Sequence, residues 1–162
     1  MSQKNIHTQQ LNQTPFSQFK PLFSALCAPE IHSLCGMYRA EFTGPAWLRK
    51  SAGPSLALAG MGGWCGKEFY ADGTAVNLVS HGRQMHRVFP MRLVTLASLV
   101  DGKPGMTVQY IQGCPFPWPY IIDELRRLDE NCLLGLTIIN VGILRKLAFP
   151  FLLQVQEHAY GL

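Results

Sequence analysis

The chain has 162 residues, enough for one domain with a single sizeable core. Hydrophobic residues make up 48%, which excludes wholesale disorder, while only 15% are charged. With 15 Gly and 11 Pro the chain must turn often, which excludes long coiled coils and helical repeat arrays.

Residues 1–14 are polar and rich in Gln and Asn, and read as a disordered tail without the apolar stretch of a signal peptide. Residues 15–162 read as one domain. Thr14-Pro15 looks like a helix start, and Phe16, Phe19, Phe23 and Leu26 fall near one helical face that Pro21 distorts. A second short helix runs from Ala28-Pro29-Glu30 to Gly36. From Met37 the period becomes two: Tyr38, Ala40 and Phe42 alternate with Met37, Arg39 and Glu41. Pro54 to Met61 predicts one or two helical turns. Strands are then predicted over 64–70, 74–80, 84–89, 92–100 and 107–112. Gly113 to Pro119 carries three prolines, which excludes a central strand there. A hairpin is predicted over 120–139 about Asp129-Glu130-Asn131, and a closing strand over 149–157. Eight or nine short strands with regular turns predict an all-β barrel or sandwich.

The net charge of +4 is scattered over Arg83, Arg87 and Arg92, Arg126 with Arg127, and Arg145 with Lys146. No window is basic enough for a nucleic-acid partner. Arg145, Lys146, Asn140 and Pro150 interrupt the apolar run from Cys132 to Leu153, which therefore reads as two buried strands and not as a transmembrane segment. Five cysteines, an odd number without a Cys-x-x-Cys pair, fit reduced thiols and a cytoplasmic location.

Enzyme motifs fail on inspection. Gly60 to Lys67 lacks the glycine and hydroxyl of a phosphate loop, since Met61 and Glu68 stand there. There is no nucleophile elbow and no His-Glu-x-x-His. His81 and His86 are five apart, which places them neither on one strand face nor on one helix face, and no metal site is expected. Cys65 with His81 as base would make a nucleophile, against the plainer reading of a buried thiol.

What stands out are aromatics beside glycines, among them Tyr38, Phe42, Trp64, Phe69 and Trp118. Inside a barrel such residues either fill the core or line a pocket. Few charges are available, so a pocket would be apolar with one or two polar anchors. Arg126 and Lys67 are the candidate anchors, Arg126 because a guanidinium grips a carboxylate with paired bonds.

These residues resemble a mostly bacterial family marked by a Gly-x-Trp-x-Gly motif and a second conserved region of unknown function. The motif position is Gly36-Met37-Tyr38-Arg39-Ala40, with Tyr38 for Trp and Ala40 for Gly. Trp64 to Phe69 matches a second segment, with Cys65 in place of an aromatic. Ile121 to Asp129 followed by Leu133-Leu134-Gly135 is the best match, and Phe149-Pro150-Phe151 closes it. The resemblance implies no reaction. A looser likeness to lipocalin-like barrels implies that Tyr38 packs across the barrel floor near Arg126 or Arg127. Haem-binding barrels carry a Gly-x-Trp-x-Gly strand and a late His ligand; one late histidine, His158 near the C-terminus, is thin ground for a haem site, so haem stays a remote alternative and no cofactor is expected.

The sequence is thus read as a single, mainly β, antiparallel lipocalin-like β-barrel, closed at one end by helical residues 15–35. The expected function is non-covalent binding of a small apolar or amphipathic, fatty-acid-like ligand by Tyr38, Phe42, Trp64, Lys67, Phe69, Trp118, Asp123 and Arg126. An isomerase or hydrolase in the same cavity is the alternative, with Glu68, Asp123 or His81 as base. A third reading makes Pro115 to Pro119 an exposed recognition loop. Homo-oligomerisation stays open.

Overall fold

The computed structural model describes residues 3–156, with side chains from residue 8 onward. Eight antiparallel strands form a closed up-and-down barrel: β1 (Gly36–Phe42), β2 (Trp64–Phe69), β3 (Thr74–His81), β4 (Gln84–Ala97), β5 (Pro104–Tyr110), β6 (Ile121–Asp129), β7 (Cys132–Ile139) and β8 (Ala148–Val155). Closure comes from β8 pairing with β1, Tyr38 opposite Val155 and Phe42 opposite Phe151. Every strand edge is therefore hydrogen-bonded, as in other closed barrels.

Two strands expected separately, 84–89 and 92–100, are one. Phe89 takes a φ of +50° just before Pro90, so β4 bends without ending, and Met91 still pairs with both β3 and β5. The helix expected at 54–61 is longer and starts earlier. It is α3 (Ala46–Leu58), entered through Pro45 and carrying Pro54 inside. The segment expected as a disordered tail contains α1 (Gln3–Asn12).

Residues 15–35 do not simply cap one end. The short helix α2 (Phe19–Ser24) lies on the outer wall, where Leu11, Phe19 and Phe23 pack on Leu134, Leu136, Ile138 and Leu152. β7 and β8 are apolar on both faces because each face is covered. Only the end of this stretch reaches the barrel mouth: Leu34, fully buried, and Ile31 plug the end from which β1 departs. The opposite end is covered by α3.

The interior divides into two halves. Near the Leu34 end it is solid, filled by Phe69, Met91, Leu93, Met106, Val108, Leu125, Leu133 and Leu153. Near α3 it is hollow. Two glycines shape that change. Gly135 lies beneath the Phe151 ring, where a methyl group would sit 2.2 Å from a ring carbon. Gly66 marks a bulge in β2 and leaves only 2.2 Å between an added Cβ and the Tyr38 carbonyl oxygen. β1 is paired on both sides and cannot retreat. Gly66→Ala is therefore expected to lose about 1–3 kcal/mol of stability, measured by urea unfolding; an unchanged midpoint would contradict this account of the bulge.

Candidate functional site

The bulge decides the chemistry of the cavity. Without it, residues 64 and 67 would face opposite sides of the sheet. The extra residue turns both Trp64 and Lys67 inward. Lys67 is 1% exposed and meets Asp123 of β6, whose Oδ2 lies 2.8 Å from the ammonium. The Lys67 Nζ also donates to Asn77 Oδ1 at 2.9 Å. Asn77 Oδ1 accepts a second bond from Trp64 Nε1 at 3.1 Å, and Asn77 Nδ2 donates to the Tyr110 hydroxyl at 3.1 Å. Thr137 Oγ1 donates to Asp123 Oδ1 at 2.6 Å. The rings of Trp64, Tyr110 and Phe151 surround the ammonium at 5.6–5.9 Å.

Five strands thus converge on one polar cluster at the base of an otherwise apolar cavity of about 370 Å³. Its walls include Phe42, Met61, Trp118, Ile121, Ile139 and Phe151, and α3 contributes Trp47, Leu48 and Leu56 across the mouth. Leu48 is the one buried residue of α3, so the helix covers the opening without being built into the core. Burial, and then the nearby Asp123 charge, push the Tyr110 hydroxyl well above the usual range. It keeps its proton at any physiological pH and can offer it to a bound acceptor.

Of the eight residues expected to bind a ligand, Phe42, Trp64, Lys67, Trp118 and Asp123 line this cavity. Tyr38 and Phe69 do not. They stack edge to face at 5.1 Å in the solid half. Burial raises the Tyr38 hydroxyl pKa more than the Arg127 charge lowers it. Arg126 lies outside the barrel, under the N-terminal segment. It bonds the Leu26 carbonyl at 3.1 Å and Asp101 at 3.3 Å, with Phe23 stacked on it at 5.0 Å. Asn77, Tyr110 and Thr137 were not anticipated.

Among the three candidate bases, only Asp123 faces the cavity. Glu68 accepts from Arg87 at 2.6 Å and from the Tyr70 hydroxyl at 2.9 Å on the outer surface. His81 is exposed and lies 3.1 Å from the Gly62 carbonyl. Across the β3–β4 hairpin its ring comes within 5.6 Å of His86, a proximity that comes from strand pairing and not from spacing along one strand. No group of three or more His, Cys, Asp or Glu suited to a metal ion occurs among the described residues. His158 lies outside the described residues. Cys65 is raised by desolvation and donates to the Leu78 carbonyl, which leaves it a poor nucleophile.

The Pro115 to Pro119 segment does not present Trp118. That ring is 3% exposed, donates to the Ala59 carbonyl at 2.9 Å and stacks on Phe89. Phe116 is the exposed aromatic of the segment, with Pro115 and Pro119 exposed beside it. The two cores account for the apolar run from Cys132 to Leu153, and no described helix is long and apolar enough to cross a membrane.

Comparison with known proteins gives the fold and little else. No family model matches the chain, and no curated protein matches it. The crystal structure of a protein from Thermomonospora curvata superposes with a TM-score of 0.71 over 96% of this chain and 97% of that one, at 16% identity. At that identity the likeness shows a shared fold: the chain is an eight-stranded antiparallel barrel of the same architecture.

Proposed function

We propose that this barrel binds a small, largely apolar molecule that carries one neutral polar group. The observation that carries this reading is the Lys67–Asp123 pair at the base of the cavity. The volume falls within the roughly 300–1,000 Å³ of small-molecule pockets. Apolar walls supply affinity at about 25 cal/mol per Å² buried.

The base of the cavity selects against a free carboxylate. Lys67 is already paired, so a carboxylate would share its charge with Asp123. At a separation of about 5 Å and an effective dielectric of about 20, two such anions repel by roughly 3 kcal/mol. A ketone, ester, amide or alcohol meets no such penalty. Tyr110 offers a proton to a carbonyl, and Asp123 can accept one from a hydroxyl. A fatty acid suits the walls but not the base.

Titration of a neutral solvatochromic dye into the protein, followed by displacement with decanol, 2-decanone or decanoate at pH 8, tests this. The neutral compounds should displace the dye at least about tenfold more effectively than decanoate. Tyr110→Phe should weaken 2-decanone by about 3- to 10-fold, the value of one hydrogen bond. No dye uptake would refute ligand binding, and preference for decanoate would refute the neutral group.

A second reading, an isomerase acting on a bound carbonyl, rests on Asp123 and Tyr110 lining one cavity. Asp123 is engaged by both Lys67 and Thr137, which favours positioning over proton abstraction. On the strength of the Ile121 to Asp129 block we also read the chain as a divergent relative of the Gly-x-Trp-x-Gly family. Five free thiols support a reducing, cytoplasmic setting.

A further inference from the structure

An up-and-down barrel sorts its connections into two sets. At the α3 end lie residues 43–63, 82–83, 111–120 and 140–147; at the Leu34 end lie 70–73, 98–103 and 130–131. The two ends differ in charge. The α3-end connections carry Arg49, Lys50, Arg83, Arg145 and Lys146 and no Asp or Glu. The turns at the other end carry Asp72, Asp101 and Glu130 against Lys103.

The ends differ in polarity as well. Among the described residues, nine of the twelve exposed large apolar side chains belong to the α3-end connections. Leu58 is 92% exposed, Phe116 82% and Ile143 77%. They belong to three separate connections, and Trp47 at the start of α3 is 59% exposed. Exposed apolar side chains on connections whose charges are all basic match the water–lipid boundary of an anionic bilayer, where apolar groups insert and cations meet headgroups. A second copy of this chain would bring like charges face to face, which disfavours a dimer through this end.

We propose that the α3 end of the barrel docks on an anionic lipid surface, with Leu58, Phe116 and Ile143 inserting and Lys50, Arg145 and Lys146 facing headgroups. The cavity mouth opens on the same face. A molecule dissolved in the bilayer would therefore reach the cavity without crossing water; that consequence rests on the ligand reading above, whereas docking does not.

Cosedimentation with vesicles tests it. Phosphatidylcholine mixed with phosphatidylglycerol at roughly 7:3 should bind the protein in about 0.1 M NaCl, and phosphatidylcholine alone at least about tenfold more weakly. Phe116→Ser with Ile143→Ser, and separately Arg145→Glu with Lys146→Glu, should each cut partitioning by about tenfold or more. Asp72→Lys, at the opposite end, should not reduce it. All these sites are on the surface, and circular dichroism checks that the variants fold. Trp47 should shift to the blue on binding, and Trp47→Phe should remove most of that shift. No binding to the mixed vesicles, or binding that both double variants leave unchanged, would overturn the proposal. So would a dimer that Phe116→Ser with Ile143→Ser dissociates. Dye uptake by the same variants without vesicles separates failure of docking from failure of the cavity.

Discussion

Replacing Lys67 by Met, with Asp123 left in place, is expected to lower the unfolding free energy by about 3–5 kcal/mol. Both side chains are almost fully buried, at 1% and 4% exposure. Removing the ammonium leaves a carboxylate inside apolar walls with Thr137 as its remaining hydrogen-bond donor. That cost is a large fraction of the stability of one domain. The cost comes from the orphaned charge and not from the attraction itself, so the double replacement Lys67→Met with Asp123→Leu should recover most of it. Urea unfolding of the single and double variants separates the two. If the double variant is no more stable than Lys67→Met alone, the buried charge is not the cause.

The same double variant separates stability from function. A pair kept for folding alone would be dispensable once both partners are apolar. If the pair exists to present Asp123 to a ligand, the double variant should fold well and still lose its preference for neutral polar molecules over hydrocarbons. Asn77 would keep its bond from Trp64 and its bond to Tyr110, so the rest of the cluster provides an internal control.

Much of this fold was legible because its strands are short and its turns carry strong signals. Asp72-Gly73 and Asp129 to Asn131 mark hairpins that the structure contains as β2–β3 and β6–β7. Local punctuation misleads where tertiary contacts override it. Phe89-Pro90 looks like a break, yet pairing on both sides carries β4 through it. Pro54 looks like a helix boundary, yet it lies inside α3, where the Ser55 hydroxyl bonds back to the Ser51 carbonyl at 2.8 Å. The N-terminal segment gives no sign of its place on the outer wall. An amphipathic turn needs an apolar face to rest on, but sequence does not say which one.

The site was legible in part, and parity explains the remainder. Asn77 lies between the inward residues Ala75 and Val79, and Tyr110 follows Met106 and Val108 at the same spacing. A polar residue in an inward series was the available signal for both. Thr137 repeats it between Gly135 and Ile139. Parity also separates Asp123 from Arg126, which are three apart on β6 and must face opposite sides. Lys67 departs from the parity of Trp64 because of the bulge between Trp64 and Gly66, which shows in the register shift against β3 and not in the residue pattern.

Arg126, no anchor for a ligand, should prove an anchor for the N-terminal segment. Arg126→Met is expected to cost about 3 kcal/mol, the lower end for a broken buried pair. The guanidinium joins three things: the Asp101 carboxylate, the Leu26 carbonyl and the Phe23 ring. Two of them belong to the segment that covers β7 and β8. Limited proteolysis should therefore cut residues 25–35 faster in the variant, even where the barrel stays folded. The pH dependence identifies the Asp101 share. Burial pushes that carboxyl up, yet the Lys103 N–H and the Arg126 charge outweigh it and hold the group below its usual range. A group whose pKa is depressed by folding stabilises above its unfolded value of about 3.9 and loses that contribution as pH falls through the folded value. The stability gap between the native chain and Arg126→Met should then be constant near neutrality and shrink below about pH 4. A gap that stays constant as the pH falls through and below the folded value would assign the stabilisation to Phe23 and the Leu26 carbonyl instead. No gap at any pH, together with unchanged proteolysis, would mean that the segment is held by its apolar face alone.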